Sequence, residues 1–158
     1  MRGLVAVVTI CCATTSALAD ASSAIHSAAL TTLLQSKVFT TAEVGLGRAT
    51  TGEAIAFGQL ATEGAKPDFL ELARRGTSAG RLYGLCGLKA LNDPAYPSVR
   101  SEMSRRRDGV RGAGCIAVRT TVDKVLALRK SRDGKEDSMF DVVCVTLIEY
   151  SSKFERRP

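Results

Sequence analysis

The chain offers few side chains suited to catalysis, and its single histidine, His26, is the first to consider. A serine or cysteine nucleophile needs a base such as histidine within hydrogen-bond reach. His26 lies in a segment of helix-forming composition, so we expect an ordinary exposed or half-buried side chain on a helix. Enzyme chemistry would then depend on scattered carboxylates that the fold brings into one cleft. We therefore predict a non-enzymatic protein without catalytic residues.

Neither the glycines nor the cysteines have the spacing of a cofactor or metal site. Gly47 and Gly52 are separated like the two glycines of a phosphate-binding loop, but Glu53 stands where that loop needs lysine. A carboxylate at this position would repel phosphate. The three cysteines that follow residue 19 lack the CxxC spacing of a zinc site, and one histidine cannot build a site of several. The sequence predicts no cofactor and no metal ion.

Arginines form the strongest candidate binding feature, because five of them lie within a twelve-residue segment: Arg100, Arg105, Arg106, Arg107 and Arg111. Guanidinium groups bind phosphate and other anions, so these residues are the candidate anion-binding site. No aromatic side chains alternate with them to stack on bases, and sequence-specific nucleic-acid binding is not expected. The alternative is a solvated helix end, which the neighbouring Glu102 and Asp108 favour.

Charge is unevenly placed along the chain, which carries 22 basic and 16 acidic residues. Residues 20–65 hold two cations and four anions, a balance of −2, whereas residues 66–158 hold 19 cations and 12 anions, a balance of +7. The C-terminal part is therefore the part that could face a polyanionic surface. A solvated surface of mixed charges is the alternative.

Three of the five cysteines lie beyond residue 19, at Cys86, Cys115 and Cys144. In an oxidising compartment, three thiols suggest one disulfide and one remaining thiol. Cys86 and Cys115 lie beside or near glycines, where backbones can approach closely, so we predict that these two form the disulfide. Cys144 lies among apolar, mostly β-branched residues and is expected to be a buried thiol. Sequence alone leaves the other pairings open.

The first nineteen residues have the organisation of an export signal. Met1-Arg2 is a short basic start, residues 3–13 are uncharged and apolar, and Ala17-Leu18-Ala19 has the small residues that signal peptidase accepts. The apolar run is shorter than the roughly 20 residues that a transmembrane helix needs. We predict an exported, periplasmic or secreted protein without a transmembrane segment, divided into a cleaved signal peptide (1–19), a single domain (20–150) and a basic frayed tail (151–158).

Hydrophobic periodicity and capping residues predict a mainly α fold, a compact bundle of short helices with room for one or two short strands. The predicted helices cover residues 22–36, 52–63, 67–75, 79–91, 94–106, 120–130 and 139–150. Pro97 offers a later start for the fifth helix, and the last segment has the composition of a strand. The four short helices between residues 52 and 106 resemble the helical hairpins of HEAT-type and other α-solenoid units, which implies hairpin packing in the middle of the chain.

A stripe of glycines marks the helix predicted over residues 79–91. Gly76, Gly80, Gly84 and Gly87 recur at intervals of four, four and three residues. Each glycine inside a helix costs about 1 kcal/mol relative to alanine, so the stripe needs a compensating contact. We predict that another helix or backbone approaches Gly80 and Gly84 closely. A chain broken by loops at this point is the alternative.

Together these features predict an exported, non-enzymatic interaction or structural module of a bacterial envelope or extracellular space, with a protein partner of unknown identity. The alternative is a polyanion-binding protein that uses the basic cluster between Arg100 and Arg111. The two hypotheses differ in whether salt controls retention of the protein on an anionic matrix.

Overall fold

Helices and short strands alternate along the chain in a computed structural model that describes residues 13–45, 49–62, 65–113, 118–130 and 136–154. The helices are α1 (Ala13–Gln35), α2 (Gly52–Thr62), α3 (Lys66–Arg75), α4 (Ser78–Ala90), α5 (Tyr96–Met103), α6 (Val122–Leu126) and α7 (Met139–Phe154). The strands are β1 (Val38–Thr40), β2 (Glu43–Val44), β3 (Ala49–Thr50), β4 (Gly109–Ala113), β5 (Val118–Thr121), β6 (Arg129–Lys130) and β7 (Glu136–Asp137). The mainly helical prediction is confirmed, with a few short strands in small sheets.

One three-stranded sheet and two hairpin ladders contain all the strands of the described residues. The larger sheet has the order β1-β4-β5, in which β1 runs parallel to β4 and β5 runs antiparallel to it. The ladders β2-β3 and β6-β7 are antiparallel pairs of two residues per strand. Residues 37–44 are rich in β-favouring residues and supply β1 and β2.

The helix α4 lies at the centre of the molecule and is almost wholly buried. Its N-cap is Thr77, whose side chain accepts a hydrogen bond from the Gly80 amide at 3.1 Å. An added methyl group at Gly84 would lie 2.7 Å from the Phe69 carbonyl oxygen in α3, and one at Gly80 would lie 3.3 Å from the Leu34 carbonyl oxygen in α1. The predicted close approach at both glycines is confirmed, because α3 and α1 occupy the space that side chains would need.

Aromatic packing fixes β1 on the helical core. Phe39 makes an edge contact with Tyr83 of α4, with ring centroids 5.1 Å apart, and stacks on Phe140 of α7 at 6.0 Å. The Tyr83 hydroxyl donates to the Val38 carbonyl and accepts from the Thr40 amide, each at 3.1 Å. Burial raises the pKa of Tyr83, so this hydroxyl keeps its proton. Its two hydrogen bonds occupy the outer edge of β1.

The fifth helix begins later than Pro94, as the Pro97 alternative predicted. Asp93 does not cap a helix directly. It accepts a hydrogen bond from the Ala95 amide at 2.8 Å within a turn, and α5 then begins at Tyr96 with Pro97 in its first turn. The Lys66 ammonium lies 2.7 Å from Asp93, and its hydrogen bond lowers the pKa of this carboxyl. The bond also joins the turn to the start of α3.

The helix predicted over residues 120–130 is wrong in its length. The Thr121 hydroxyl bonds to the side chain of Asp123 instead of capping a backbone amide, and α6 ends at Leu126 because Ala127 is extended. Arg129 and Lys130 then form β6, opposite the acidic residues of β7. Arg129 lies directly opposite Asp137, and opposite charges across a ladder stabilise the strand pair, which favours β6 over further helix.

The last helix is confirmed over residues 139–150, and it continues through Phe154. The tail predicted from residue 151 therefore begins inside α7, where Ser151 is buried and donates to the Ile148 carbonyl at 2.8 Å. At the other end, α1 begins at Ala13 and runs across the predicted cleavage position after Ala19. Cleavage itself stays a prediction of the sequence.

The disulfide prediction was wrong in its pairing. Cys86 of α4 is bonded to Cys144 of α7, with Cα atoms 5.5 Å apart, and both residues are fully buried. Cys144 is therefore buried as predicted but is not a thiol. Its helix packs against α4, which brings two residues 58 positions apart together. Cys115 lies outside the described residues.

Candidate functional site

The five predicted anion-binding arginines do not form one site. Arg100 lies on the inner side of α5 and donates to the Tyr96 hydroxyl at 2.9 Å and to the Leu126 carbonyl at 3.3 Å. Its guanidinium also lies 5.4 Å from the ring centre of Phe140 and 3.7 Å from Asp141. Arg100 is thus used in holding α5, α6 and α7 together.

Asp141 is the centre of the network that contains Arg100. The Lys89 ammonium lies 2.6 Å from Asp141 Oδ1, and the buried Ser138 hydroxyl donates to Oδ2 at 2.5 Å. Burial by itself would raise the pKa of Asp141, but the hydrogen bonds from Lys89 and Ser138 and the charges of Lys89 and Arg100 outweigh burial and lower it. The Ser138 amide also donates to Asp141 Oδ2 at 3.4 Å, and the Asp141 amide donates to the Ser138 hydroxyl at 3.1 Å, so this network caps the start of α7.

Arg106 is likewise held by neighbouring carboxylates. Its guanidinium lies 3.1 Å from Asp108 and 3.7 Å from Glu102. It also lines a groove of about 320 Å³ between α3 and α5, whose apolar residues include Leu70, Val99 and Met103. Arg106 is therefore largely neutralised where it stands. The solvated-helix-end interpretation fits this residue better than anion binding does.

Arg105 and Arg107 are exposed after the end of α5. The segment that contains them is fixed by backbone bonds, since the Asp123 amide donates to the Arg106 carbonyl at 2.9 Å. The Thr121 hydroxyl, and further the charges of Arg107 and Lys124, lower the pKa of Asp123. Arg107 is therefore close enough to Asp123 for the two charges to interact, whereas Arg105 is exposed to solvent.

Arg111 stands directly opposite Arg119 in the ladder between β4 and β5. Val122 donates to the Asp108 carbonyl at 3.1 Å just beyond this ladder. Hydrogen-bonded and non-hydrogen-bonded pairs alternate along an antiparallel ladder, so the register makes Arg111 and Arg119 a non-hydrogen-bonded pair. In such a pair the side chains are closest, with Cα atoms about 4.5 Å apart. Both arginines are exposed on the same face of the sheet.

No carboxylate compensates this arginine pair within the described residues. The other residues of the described strands that are paired or diagonal to it on that face are Val38, Thr40, Gly109, Ala113 and Thr121, and none of them is acidic. Asp108 and Asp123, the acidic residues nearest in sequence, are bonded to Arg106 and Thr121. Like charges directly opposite each other destabilise a strand pair, by up to about 1 kcal/mol. An anion between the two guanidinium groups would relieve this repulsion.

Sequence reasoning missed Arg119 as a member of the site. Its signal was present, because a glycine-rich segment separates two short runs in which arginine alternates with β-favouring residues, Val110-Arg111 and Val118-Arg119-Thr120. Such a pattern is typical of a hairpin that turns over a glycine-rich loop. We refer to Arg111 and Arg119 as the arginine pair.

His26 contacts an acid of another helix. Its Nε2 atom lies 2.8 Å from Asp68 Oδ2, and this contact joins α1 to the first turn of α3. The side chains of His26 and Asp68 are 28% and 20% exposed. This contact agrees with the half-buried histidine expected from the sequence. Among the residues that the structure describes, no group of three or more histidine, cysteine or acidic side chains is placed to hold a metal ion.

None of the helices in the described ranges is both long enough and apolar enough to cross a membrane. Comparison of the chain with protein-family models, with curated proteins and with solved structures finds no match. The protein is therefore described by its fold and candidate site alone. It has a mainly helical, disulfide-linked core that presents the arginine pair on a small sheet.

Proposed function

We propose that the protein is an exported, non-enzymatic interaction module that binds polyanions through Arg111 and Arg119. The observation that carries this proposal is the direct opposition of two exposed arginines on one face of the sheet. Two guanidinium groups at this separation can share one phosphate, sulfate or carboxylate group by charge-assisted hydrogen bonds. Among the five arginines predicted from sequence, Arg105, Arg107 and Arg111 are exposed, and Arg111 alone belongs to the arginine pair.

The scaffold supports this function because it holds the sheet rigidly. Phe39 stacks on Phe140 of the core below the sheet, and Gly112 of β4 lies against the end of the Met139 side chain. A binding pair supported by packed elements keeps its geometry without a ligand, which lowers the entropy lost on binding. The buried disulfide supports the export hypothesis, since such bonds persist in oxidising compartments. A HEAT-like stacking of α2 to α5 stays a prediction.

Retention on an anionic matrix such as heparin–agarose tests the proposal. We expect the wild type to elute at a higher salt concentration than the variant Arg111→Gln/Arg119→Gln. The matched control is Arg74→Gln/Lys153→Gln, which removes the same charge from exposed positions on α3 and α7. If both double variants elute at the same salt concentration, net charge alone explains retention and the proposed site is wrong.

A further inference from the structure

The two outer edges of the three-stranded sheet differ in their freedom to bind another strand. At the β1 edge, the Tyr83 hydroxyl occupies both the Val38 carbonyl and the Thr40 amide. This leaves that edge blocked by a buried side chain of α4. The opposite outer edge of the sheet is β5. β5 pairs with β4 on one side and also contacts α6, the helix that directly follows it.

The register shows which backbone groups the β5 edge presents. Because Val110/Thr120 and Gly112/Val118 are the hydrogen-bonded pairs, the amides and carbonyls of Arg119 and Thr121 point away from β4. Within the described residues, none of the backbone hydrogen bonds outside regular elements uses Arg119. Val118 and Arg119 are exposed, Val118 at 47%. An exposed edge of this kind is a template for strand addition.

We propose that the β5 edge binds an extended acidic polypeptide segment by strand addition, so that its acidic side chains contact the arginine pair. Side chains of an added strand alternate between the two faces of the sheet, so every second residue would lie on the face of Arg111 and Arg119. Backbone hydrogen bonds to Arg119 and Thr121 would supply affinity, and the arginine pair would select acidic residues. This inference rests on the proposed function, because it names the polyanion that the same site binds.

Charge decides between this partner and a second copy of the chain. Edge-to-edge pairing of two copies would extend the sheet and bring two arginine pairs onto one surface, which adds like-charge repulsion. Natural edge strands use charged side chains in this way to prevent self-pairing. An acidic strand would instead be attracted to this edge, because its carboxylates would compensate the guanidinium groups of the arginine pair, which no carboxylate of the described residues compensates.

The test uses a capped synthetic peptide of alternating glutamate and valine, nine residues long, and a control peptide of the same sequence that is N-methylated at every backbone amide. Both peptides carry the same charge, but the control cannot form the ladder. We expect the unmodified peptide to bind the full chain at least tenfold more tightly than the control in titrations followed by NMR. We also expect it to slow hydrogen exchange of the Arg119 amide, and Arg111→Gln/Arg119→Gln to weaken its binding.

Equal affinity for the two peptides, with both weakened in the arginine variant, would overturn strand addition while leaving polyanion binding intact. If, in addition, the wild type and Arg111→Gln/Arg119→Gln elute from the anionic matrix at the same salt concentration, the proposed function itself is wrong. A wild-type dimer that the acidic peptide does not dissociate would assign the β5 edge to a second copy and contradict the proposal. Circular dichroism of each variant ensures that lost binding is not lost folding.

Discussion

At the scale of residues, two arginines of one segment have different surroundings and so different uses. Arg100 is about a quarter exposed and lies among Tyr96, Phe140 and Asp141, where its hydrogen bonds join three helices. Arg111 is exposed and faces another arginine. A charge that is paired contributes to the fold, whereas an exposed like-charge pair costs stability and gains from a bound anion.

The inner network is tested by Asp141→Asn. The pKa of Asp141 is below its ordinary value, so this carboxylate stabilises the fold above the unfolded pKa of about 4 and ceases to do so as the pH falls through the lower folded pKa. At pH 7 we expect the variant to be less stable by about 1 to 3 kcal/mol, because it loses hydrogen bonds to charged groups. Urea unfolding from pH 2 to 7 should show this difference shrinking below pH 4.

The control for that experiment is Glu71→Gln, which removes the exposed ion pair with Arg75. Exposed pairs contribute about 0 to 1 kcal/mol, so this variant should stay close to the wild type at every pH. Wild-type stability of Asp141→Asn at pH 7 would contradict the role assigned to the network.

At the scale of elements, the close contact of α3 with α4 explains why glycine recurs along α4. The backbone at Phe69 and Ala73 and the ring of Phe69 take the space beside Gly84 and Gly87. The conformational cost of these glycines is offset by helix–helix packing at a distance that larger residues prevent. The same packing positions Tyr83, whose hydroxyl then blocks the β1 edge.

Gly84→Ala tests this packing. Alanine normally stabilises a helix by about 1 kcal/mol relative to glycine. Here we expect a loss of about 1 to 3 kcal/mol, because the new methyl group would lie 2.7 Å from the Phe69 carbonyl oxygen. The control is Gly52→Ala at the start of α2, where nothing lies within 4 Å of an added methyl group. Urea unfolding of Gly84→Ala at or above wild-type stability would show that the contact has no packing role.

Helix positions could be predicted from the sequence because their signals are local. Apolar spacing, capping residues and the glycine stripe are each recognised within a few residues, and in the structure the side chains of Thr51 and Thr77 cap α2 and α4. The disulfide and the arginine pair could not be predicted as reliably. Each depends on which elements meet in space: α4 with α7 for Cys86 and Cys144, and β4 with β5 for Arg111 and Arg119.

At the scale of the whole molecule, one covalent bond joins the central helix to the C-terminal helix. The Cys86–Cys144 disulfide spans 58 residues and so restricts a large part of the unfolded chain. Between these two cysteines lie α5, the sheet hairpin β4-β5 and α6. The bond therefore stabilises the part of the chain that presents the arginine pair.

Removing this bond with Cys86→Ala/Cys144→Ala should lower the free energy of unfolding by about 4 kcal/mol in the chain-entropy estimate for a loop of this length. Thermal melting and non-reducing peptide mapping measure the effect. The control is Cys115→Ser, which should leave both the melting temperature and the Cys86–Cys144 peptide unchanged. Loss of the disulfide in Cys115→Ser would restore the pairing that the sequence suggested.

The salt dependence of binding to a defined polyanion tests the central claim most directly. Affinities for a short heparin oligosaccharide, measured by titration calorimetry from 50 to 300 mM salt, give a slope of log K against log salt that reports the number of ionic contacts. We predict that Arg111→Gln/Arg119→Gln lowers this slope by roughly 1 to 2 and that Arg74→Gln/Lys153→Gln leaves it unchanged. An identical slope for the wild type and Arg111→Gln/Arg119→Gln would contradict polyanion binding by the arginine pair.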